Sequence, residues 1–178
     1  VTAADLSALG GKTAGTVTVT NAVAITGDHD QLTAALVTAG TKVEVSDAAV
    51  TVNDDDATAI TAAELSAIGG ATTGTVTVTN AVAITGDHDQ VTAALVTAGT
   101  KVSVSDAAVT INDADATAIS ATELSAIGNA TTGTVTVTNA INVTGTADEA
   151  IAALHTTASK VEVTDAAVTI NDADATAI

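Results

Sequence analysis

Aliphatic and polar residues alternate with a period of two in several segments of the chain. In VTVTNAVAIT, which begins at Val17, the aliphatic residues Val17, Val19, Val23 and Ile25 alternate with polar or small residues. This alternation is typical of a β-strand with one buried face. We therefore expect the aliphatic side chains to point inward and the intervening threonines to face solvent.

The related segment VEVSDAAVTV (Val43–Val52) alternates in the same way, but its aliphatic positions slip by one residue halfway along. The slip predicts a bend or bulge near Asp47–Ala49. Asn21 occupies the matching bend in the first segment, and short polar side chains suit such corners because they can hydrogen-bond nearby backbone.

Signals for a helix follow each strand segment. Thr61 and Glu64 form a capping box, in which each side chain accepts a hydrogen bond from the other residue's backbone amide. Gly69 and Gly70 predict the end of that helix. Similar cap patterns occur at Asp28–Gln31, Ser120–Glu123 and Thr146–Glu149. The helix that starts after Asp28 is predicted to end at Gly40.

The whole pattern recurs at a fixed spacing of 59 positions. The segment GTVTVTNA begins at Gly15, Gly74 and Gly133, and the first two repeats differ at nine of 59 positions. The spacing predicts a single α/β solenoid segment of three repeats, 1–59, 60–118 and 119–177, whose strand–helix coils form parallel β-sheet faces with right-handed crossovers. Each repeat would contain a shorter coil, from Val17 to Val43, and a longer coil, from Val43 to Val76. A compact parallel α/β sandwich is the alternative.

Composition narrows the classes of function. The 178 residues include no aromatic residue, cysteine or proline, so Val, Ile, Leu and Ala must form a thin, regular interior. The chain contains four lysines and 21 acidic residues, which give a net charge of −17. This charge argues against binding to nucleic acids and to anionic membranes. Polar residues interrupt every apolar run, so we expect no membrane insertion.

The segments AADLSALGGKTAGTVTVTNAVAITG (residues 3–27) and TAAELSAIGGATTGTVTVTNAVAITG (residues 61–86) resemble the tandem repeats of very large secreted or cell-surface proteins of bacteria, notably marine cyanobacteria. The resemblance covers essentially the whole chain. It implies an extracellular, structural or adhesive role, often beside calcium-binding modules. It supplies no catalytic residues.

The acidic loops are the best candidates for a metal site. In NDADAT, Asp113, Asp115 and Thr117 have the one-three-five spacing of a calcium loop, but Ala118 and Leu124 stand where that loop needs Gly and Glu. Stacked coils offer another route, because carboxylates of neighbouring coils would lie side by side and repel each other unless cations separated them. The candidate calcium ligands are Asp28, Asp30, Asp54, Asp56, Asp87, Asp89, Asp113, Asp115, Asp172 and Asp174. The competing interpretation is a set of solvated turns and helix caps.

The histidines give a weaker signal. His29 and His88 are each flanked by aspartates, which could indicate a transition-metal site or a general base, but Ala147 replaces them in the third repeat. We therefore expect exposed residues at helix starts with no chemistry, and His155 has no partner in the motif. No Ser–His–Asp arrangement recurs at the repeat spacing, so we expect no enzymatic activity.

Rows of outward threonines, such as Thr16, Thr18 and Thr20, resemble flat ice-binding arrays. Intervening coils present Glu44 and Ser46 instead, and threonine is in any case common on exposed strand faces.

The function expected from the sequence is a structural repeat segment of an extracellular bacterial surface protein or fibre, which stacks with copies of itself into a stiff rod or filament. A calcium-dependent adhesion or binding module is the alternative. An artificial consensus array is a third interpretation, against which the divergence of the third repeat argues.

Overall fold

Helices and short strands alternate throughout the computed structural model, which describes residues 1–41, 43–100 and 102–173. The helices are α1 (Ala3–Gly10), α2 (His29–Leu32), α3 (Ala62–Gly70), α4 (His88–Leu95), α5 (Ala121–Asn129) and α6 (Ala147–Leu154). A π-helical segment, Thr33–Val37, continues α2. The predicted alternation of strands and helices is confirmed, although the helical residues after Asp28 end at Val37 rather than at Gly40.

The strands are all short, with at most four residues each. They are β1 (Val17–Val19), β2 (Ala24–Gly27), β3 (Val43–Val45), β4 (Ala49–Val52), β5 (Ala59–Thr61), β6 (Val76–Val78), β7 (Ala83–Gly86), β8 (Val102–Ser103), β9 (Ala108–Ile111), β10 (Ala118–Ser120), β11 (Val135–Val137), β12 (Asn142–Gly145), β13 (Val161–Val163) and β14 (Ala167–Ile170). The gaps between β1 and β2 and between β3 and β4 contain Asn21 and Asp47, so both predicted bends are confirmed.

All strand pairs in the described residues are parallel, and they form four open sheets. The sheet orders are β13-β11-β9-β7-β5, β2-β4-β6-β8, β10-β12-β14 and β1-β3. Neighbouring strands within each sheet come from successive turns of the chain, as in Ile60 opposite Ile84, Ile84 opposite Val109, and Val109 opposite Val135. The α/β class with parallel sheets is therefore confirmed.

Successive passes of the chain lie side by side, where a pass is the stretch from one strand to the strand that pairs with it further along. Strand β6 pairs with β4 and β8, and β7, the next strand along the chain, pairs with β5 and β9. The helices follow the same order, because α3 contacts α4, α4 contacts α5, and α5 contacts α6. Each pass thus has the pass before it and the pass after it as its neighbours.

Two strands, β5 and β10, were not expected from the sequence. Both come directly before a capped helix, and their central residues, Ile60 and Ile119, are buried. Each starts a new sheet. The predicted longer coil is consequently wrong, because Val76 pairs with Val50 and not with Val43. The extra residues of that coil form the added strand and the turn before it.

The interior is a single cluster of aliphatic side chains. In the second repeat Val76, Val78, Val82 and Ile84 are buried, whereas Thr77 between them is exposed, as the period-two alternation predicts. The largest fully buried side chains are Ile25, Leu32, Ile60, Leu65, Ile68, Ile84, Ile111, Ile119, Leu124, Ile127, Ile141 and Val50. Burial of this kind contributes about 25 cal/mol per Å² of apolar surface and is the main stabilising term in a chain without disulfides.

The helix caps form as expected. The Glu64 amide donates to Thr61 Oγ1 over 3.2 Å, and the Thr61 amide donates to Glu64 Oε2 over 2.9 Å. Reciprocal boxes also form at Asp87–Gln90, Ser120–Glu123 and Thr146–Glu149, and Asp28 accepts from the Gln31 amide. These caps fix the point at which each helix leaves its strand.

The threonine rows are interrupted only in part. Thr18 lies opposite Glu44 and Thr136 lies opposite Glu162 in the paired strands, as the sequence indicated. In the five-stranded sheet, however, Thr61, Thr85, Thr110 and Thr136 are successive partners in four neighbouring strands, so the expected interruption by every intervening coil is wrong.

Candidate functional site

A buried aspartate joins the start of α2 to the pass that follows it. The Asp54 carboxylate accepts a hydrogen bond from the His29 amide over 2.8 Å, and its second oxygen lies 2.6 Å from His29 Nδ1. Asp54 is only 6% exposed. A carboxylate in this position satisfies a free amide of the first helical turn and is favoured by the helix dipole.

The same arrangement occurs one repeat later. The Asp113 carboxylate accepts from the His88 amide over 2.8 Å and lies 2.7 Å from His88 Nδ1. In the third repeat the Ala147 amide donates to Asp172 over 2.9 Å, so the backbone contact persists without the imidazole. We refer to His29–Asp54 and His88–Asp113 as the Asp–His junctions.

Each junction aspartate also contacts the pass on its other side. The backbone carbonyl of Asp54 accepts from Asn80 Nδ2, and that of Asp113 accepts from Asn139 Nδ2. One acidic residue therefore ties together three consecutive passes: its side chain holds the preceding pass and its carbonyl holds the following one.

The other predicted metal ligands make separate contacts with different parts of the chain. Asp28 and Asp87 are N-caps, while Asp56 and Asp115 accept from the amides of Ala81 and Ala140 in the next pass. The side chains of Asp30 and Asp89 are 86% exposed and lie 3.6 and 3.5 Å from the Nε2 atoms of His29 and His88. Asp174 lies outside the described residues.

The structure brings the helix starts and the acidic loops together, as the stacking hypothesis required, but it turns the carboxylates toward backbone amides. In the one-three-five loop, Asp113 contacts His88, Asp115 contacts Ala140, and the Thr117 hydroxyl donates to the Ala114 carbonyl. Across residues 1–41, 43–100 and 102–173, no three His, Cys, Asp or Glu side chains are grouped so that they could hold a metal ion. Calcium binding at these loops stays a prediction.

The expectation that His29 and His88 are exposed is wrong. Each side chain is 14% exposed because the acidic loop of the following pass covers it. The signal that could have found the junctions is the separation of 25 positions between each histidine and its aspartate, which is one pass of the chain. The local sequence around the histidine contains no such information.

Carboxylates surround each junction histidine. Burial by itself lowers the pKa of His29, but the hydrogen bond to Asp54 and the charges of Asp54, Asp30 and Glu64 outweigh it and raise that pKa above 6.5. The pKa of His88 is raised in the same way: burial lowers it, and Asp113, Asp89 and Glu123 more than compensate. The capping hydrogen bonds from the Thr61 side chain and backbone lower the pKa of Glu64.

These shifts predict a pH dependence. A pKa that is higher in the folded protein than in the unfolded chain gives stability that is fully present below about pH 6.5 and is lost as the pH rises through the folded-state pKa. We expect the free energy of unfolding to fall as the pH rises above about 6.5, and the fall to disappear in the double variant His29→Ala, His88→Ala. Urea unfolding at a series of pH values measures this, and a slope that survives in the double variant would contradict it.

Comparison with known proteins gives no match: no family model, no curated protein and no solved structure is similar to this chain. Among the described residues, none of the helices combines the length and the apolar character that crossing a membrane requires.

Proposed function

We propose that the chain is a non-enzymatic structural repeat segment of an extracellular bacterial surface protein or fibre. Its passes stack as a solenoid and form a stiff rod whose length is set by the number of repeats. The observation that carries the proposal is the pairing of each pass with the pass before it and the pass after it in the chain. Such pairing makes each pass depend on its neighbours for burial.

The contacts between passes support a mechanical role. Backbone carbonyls of one pass approach glycines of the neighbouring pass so closely that no Cβ atom would fit, as at Gly69 against Thr100 and at Gly128 against Ser159. The backbone carbonyls of the junction aspartates accept hydrogen bonds across the same boundaries, and their carboxylates accept hydrogen bonds across the boundaries in between. Many short, specific contacts between neighbours resist sliding and bending better than a fluid apolar interface would.

The extracellular location rests on composition and on the resemblance to secreted tandem repeats. A net charge of −17 keeps such an array soluble and suits a salty medium, in which ions screen the repulsion between like charges.

The proposal predicts how size scales with repeat number. Arrays of two, three and four repeats should keep the same cross-section, while the longest dimension grows by an equal step per repeat, on the order of 10 Å for two strand spacings. Small-angle X-ray scattering measures both quantities. A radius of gyration that grows only as a compact globule does, with a widening cross-section, would contradict the proposal.

A further inference from the structure

The helices pack unequally along the chain. Helix α4 makes more extensive contact with α3, which belongs to the same repeat, than with α5, the first helix of the third repeat. One repeat earlier, α2 and its π-helical continuation contact α1 more extensively than they contact α3. The helix layer therefore consists of pairs, one pair per repeat, with a looser contact between pairs. We call the looser contact of α4 with α5, and its equivalent one repeat earlier, the seam.

Glycines bring the two helices of a pair together, and the seam has no equivalent. Gly69, near the end of α3, lies against the Thr100 carbonyl of the pass that contains α4, and Gly128 of α5 lies in the same way against Ser159. Helix α4, HDQVTAAL, contains no glycine, and a Cβ atom added at Gly99 behind it would meet nothing within 4 Å. Close backbone contact therefore distinguishes the pairs from the seam.

An Asp–His junction fastens the seam where its helices begin. His88 is the first residue of α4, and Asp113, which binds the His88 amide and imidazole, lies in the loop that leads into β10 and α5. The negative charge of Glu123, in α5, acts on the same imidazole. His29 and Asp54 make the equivalent contact one repeat earlier. The junction is thus a specific polar contact across the seam.

A buried hydroxyl group in the seam is unpaired. Thr92 lies four residues after His88, so both side chains project from the side of α4 that faces α5. The Thr92 Oγ1 atom is buried and has no hydrogen-bond partner among the described residues, and the same holds for Thr33, four residues after His29. A buried hydroxyl without a partner costs free energy. Opening the seam recovers that cost, because water then reaches the hydroxyl.

Beyond the helix ends the same two passes are joined again. Thr131 and Thr132, just after α5, donate side-chain hydrogen bonds to the carbonyls of Ala107 and Ser105 over 2.7 and 2.9 Å. Strands β9 and β11 pair in register next to these bonds. The passes on the two sides of the seam can therefore separate at their helices while they stay joined at their strands.

We propose that the seam is a latched hinge: the helix layer opens between repeats about the joined strands, and the Asp–His junction is the latch. Opening exposes the side of α5 that α4 covers. Ile127, which is 0% exposed and lies four residues after Glu123, is on that side. The inference goes beyond the proposed rod, because it describes how one chain yields, whether or not the segment stiffens a fibre.

Thiol labelling measures the opening, because the chain has no cysteine of its own. Ile127→Cys places a thiol on the side of α5 that the seam covers. Leu124→Cys is the matched control, since Leu124 is also 0% exposed but lies about 100° round the helix from Glu123, toward the strands. Both changes remove a large buried side chain, so each labelling rate is compared with the unfolding equilibrium of the same variant in urea.

The seam thiol should react through local opening and the control thiol through global unfolding. We expect Ile127→Cys to react roughly tenfold faster, or more, than its own unfolding equilibrium allows, and Leu124→Cys to react at the rate that unfolding sets. Adding Asp113→Ala releases the latch. It should accelerate the labelling of Ile127→Cys roughly tenfold beyond its effect on Leu124→Cys.

Two threonine substitutions test the unpaired hydroxyl in the Ile127→Cys background. Thr92→Val removes that hydroxyl and keeps the branched shape of the side chain, so labelling should slow roughly threefold or more. Thr122→Val is the matched control, because the Thr122 hydroxyl donates to Glu149 of α6 over 3.1 Å, on the side of α5 away from the seam. It should leave the labelling rate unchanged.

Labelling of both cysteines at the rate of global unfolding would overturn the proposal. So would an equal acceleration of both by Asp113→Ala, or a Thr92→Val effect no larger than that of Thr122→Val. Failure of the proposed function has a different readout, a cross-section that widens with repeat number in X-ray scattering. If the arrays lengthen evenly while both thiols label alike, the stacked segment stands and only the hinge is wrong.

Discussion

Replacing Gly69 with alanine is expected to destabilise the protein by about 3 kcal/mol or more, close to the upper end of the effects of overpacking. The added Cβ atom would lie 2.1 Å from the Thr100 carbonyl oxygen and 2.9 Å from its carbon. These are backbone atoms of the next pass, so relief requires the two passes to separate. Gly128 has the same relation to Ser159, at 1.7 Å, and the same substitution there should have a similar effect.

The neighbouring glycine provides the control. Gly70 also lies in α3, but a Cβ atom there would meet nothing within 4 Å. Gly70→Ala should leave stability unchanged or raise it by up to about 1 kcal/mol, because alanine is the better helix former. In the third repeat Asn129 occupies the position of Gly70, whereas the position of Gly69 is still a glycine, Gly128. Equal urea midpoints for Gly69→Ala and Gly70→Ala would show that the passes do not approach each other as described.

Replacing Asp113 with alanine is expected to cost about 3 kcal/mol, the low end of the range for breaking a buried pair from one side. The change leaves the His88 amide and imidazole without their acceptor in a place that water reaches poorly. The loss should be largest for the passes on both sides of Asp113. Urea unfolding gives the total, and amide hydrogen exchange shows which passes open more often.

His88→Ala is the matched variant for this junction. It keeps the hydrogen bond from the backbone amide to Asp113 and reproduces the arrangement of Ala147 with Asp172, so it should cost about 1 kcal/mol, the value of one ordinary hydrogen bond. If His88→Ala destabilises as much as Asp113→Ala, the imidazole rather than the amide contact holds the passes together.

Local features of the fold could be predicted from the sequence because their causes are local. The alternation in VTVTNAVAIT and the cap at Thr61 and Glu64 depend on residues within a few positions of one another, and both form as expected. Strand β5 was missed because it is too short to show a period. Its central residue, Ile60, is buried beside Ile84 of β7, which belongs to the next pass of the chain.

The contacts of the candidate site depend on a sequence separation of one pass, which the alignment of the 59-residue repeats does not reveal. Identical residues recur once per repeat, whereas contacts form between successive passes, and each repeat contains two passes. The alignment of repeats therefore does not show which residues contact each other. The charge of Asp54 indicates a functional candidate, whereas the sequence around its actual partner, His29, predicts a surface residue. Gly69 likewise predicts the end of a helix, although the structure shows that it makes room for the Thr100 carbonyl.

The register between passes is the central claim, and a disulfide tests it most directly because the chain has no cysteine of its own. Thr110 and Thr136 are partners in β9 and β11, so the double variant Thr110→Cys, Thr136→Cys should oxidise to an intramolecular disulfide, which mass spectrometry and thiol titration detect. The pair Thr110→Cys, Thr138→Cys, which is out of register, should stay reduced under the same conditions. Equal oxidation of both pairs, or oxidation of the second alone, would contradict the stacked arrangement.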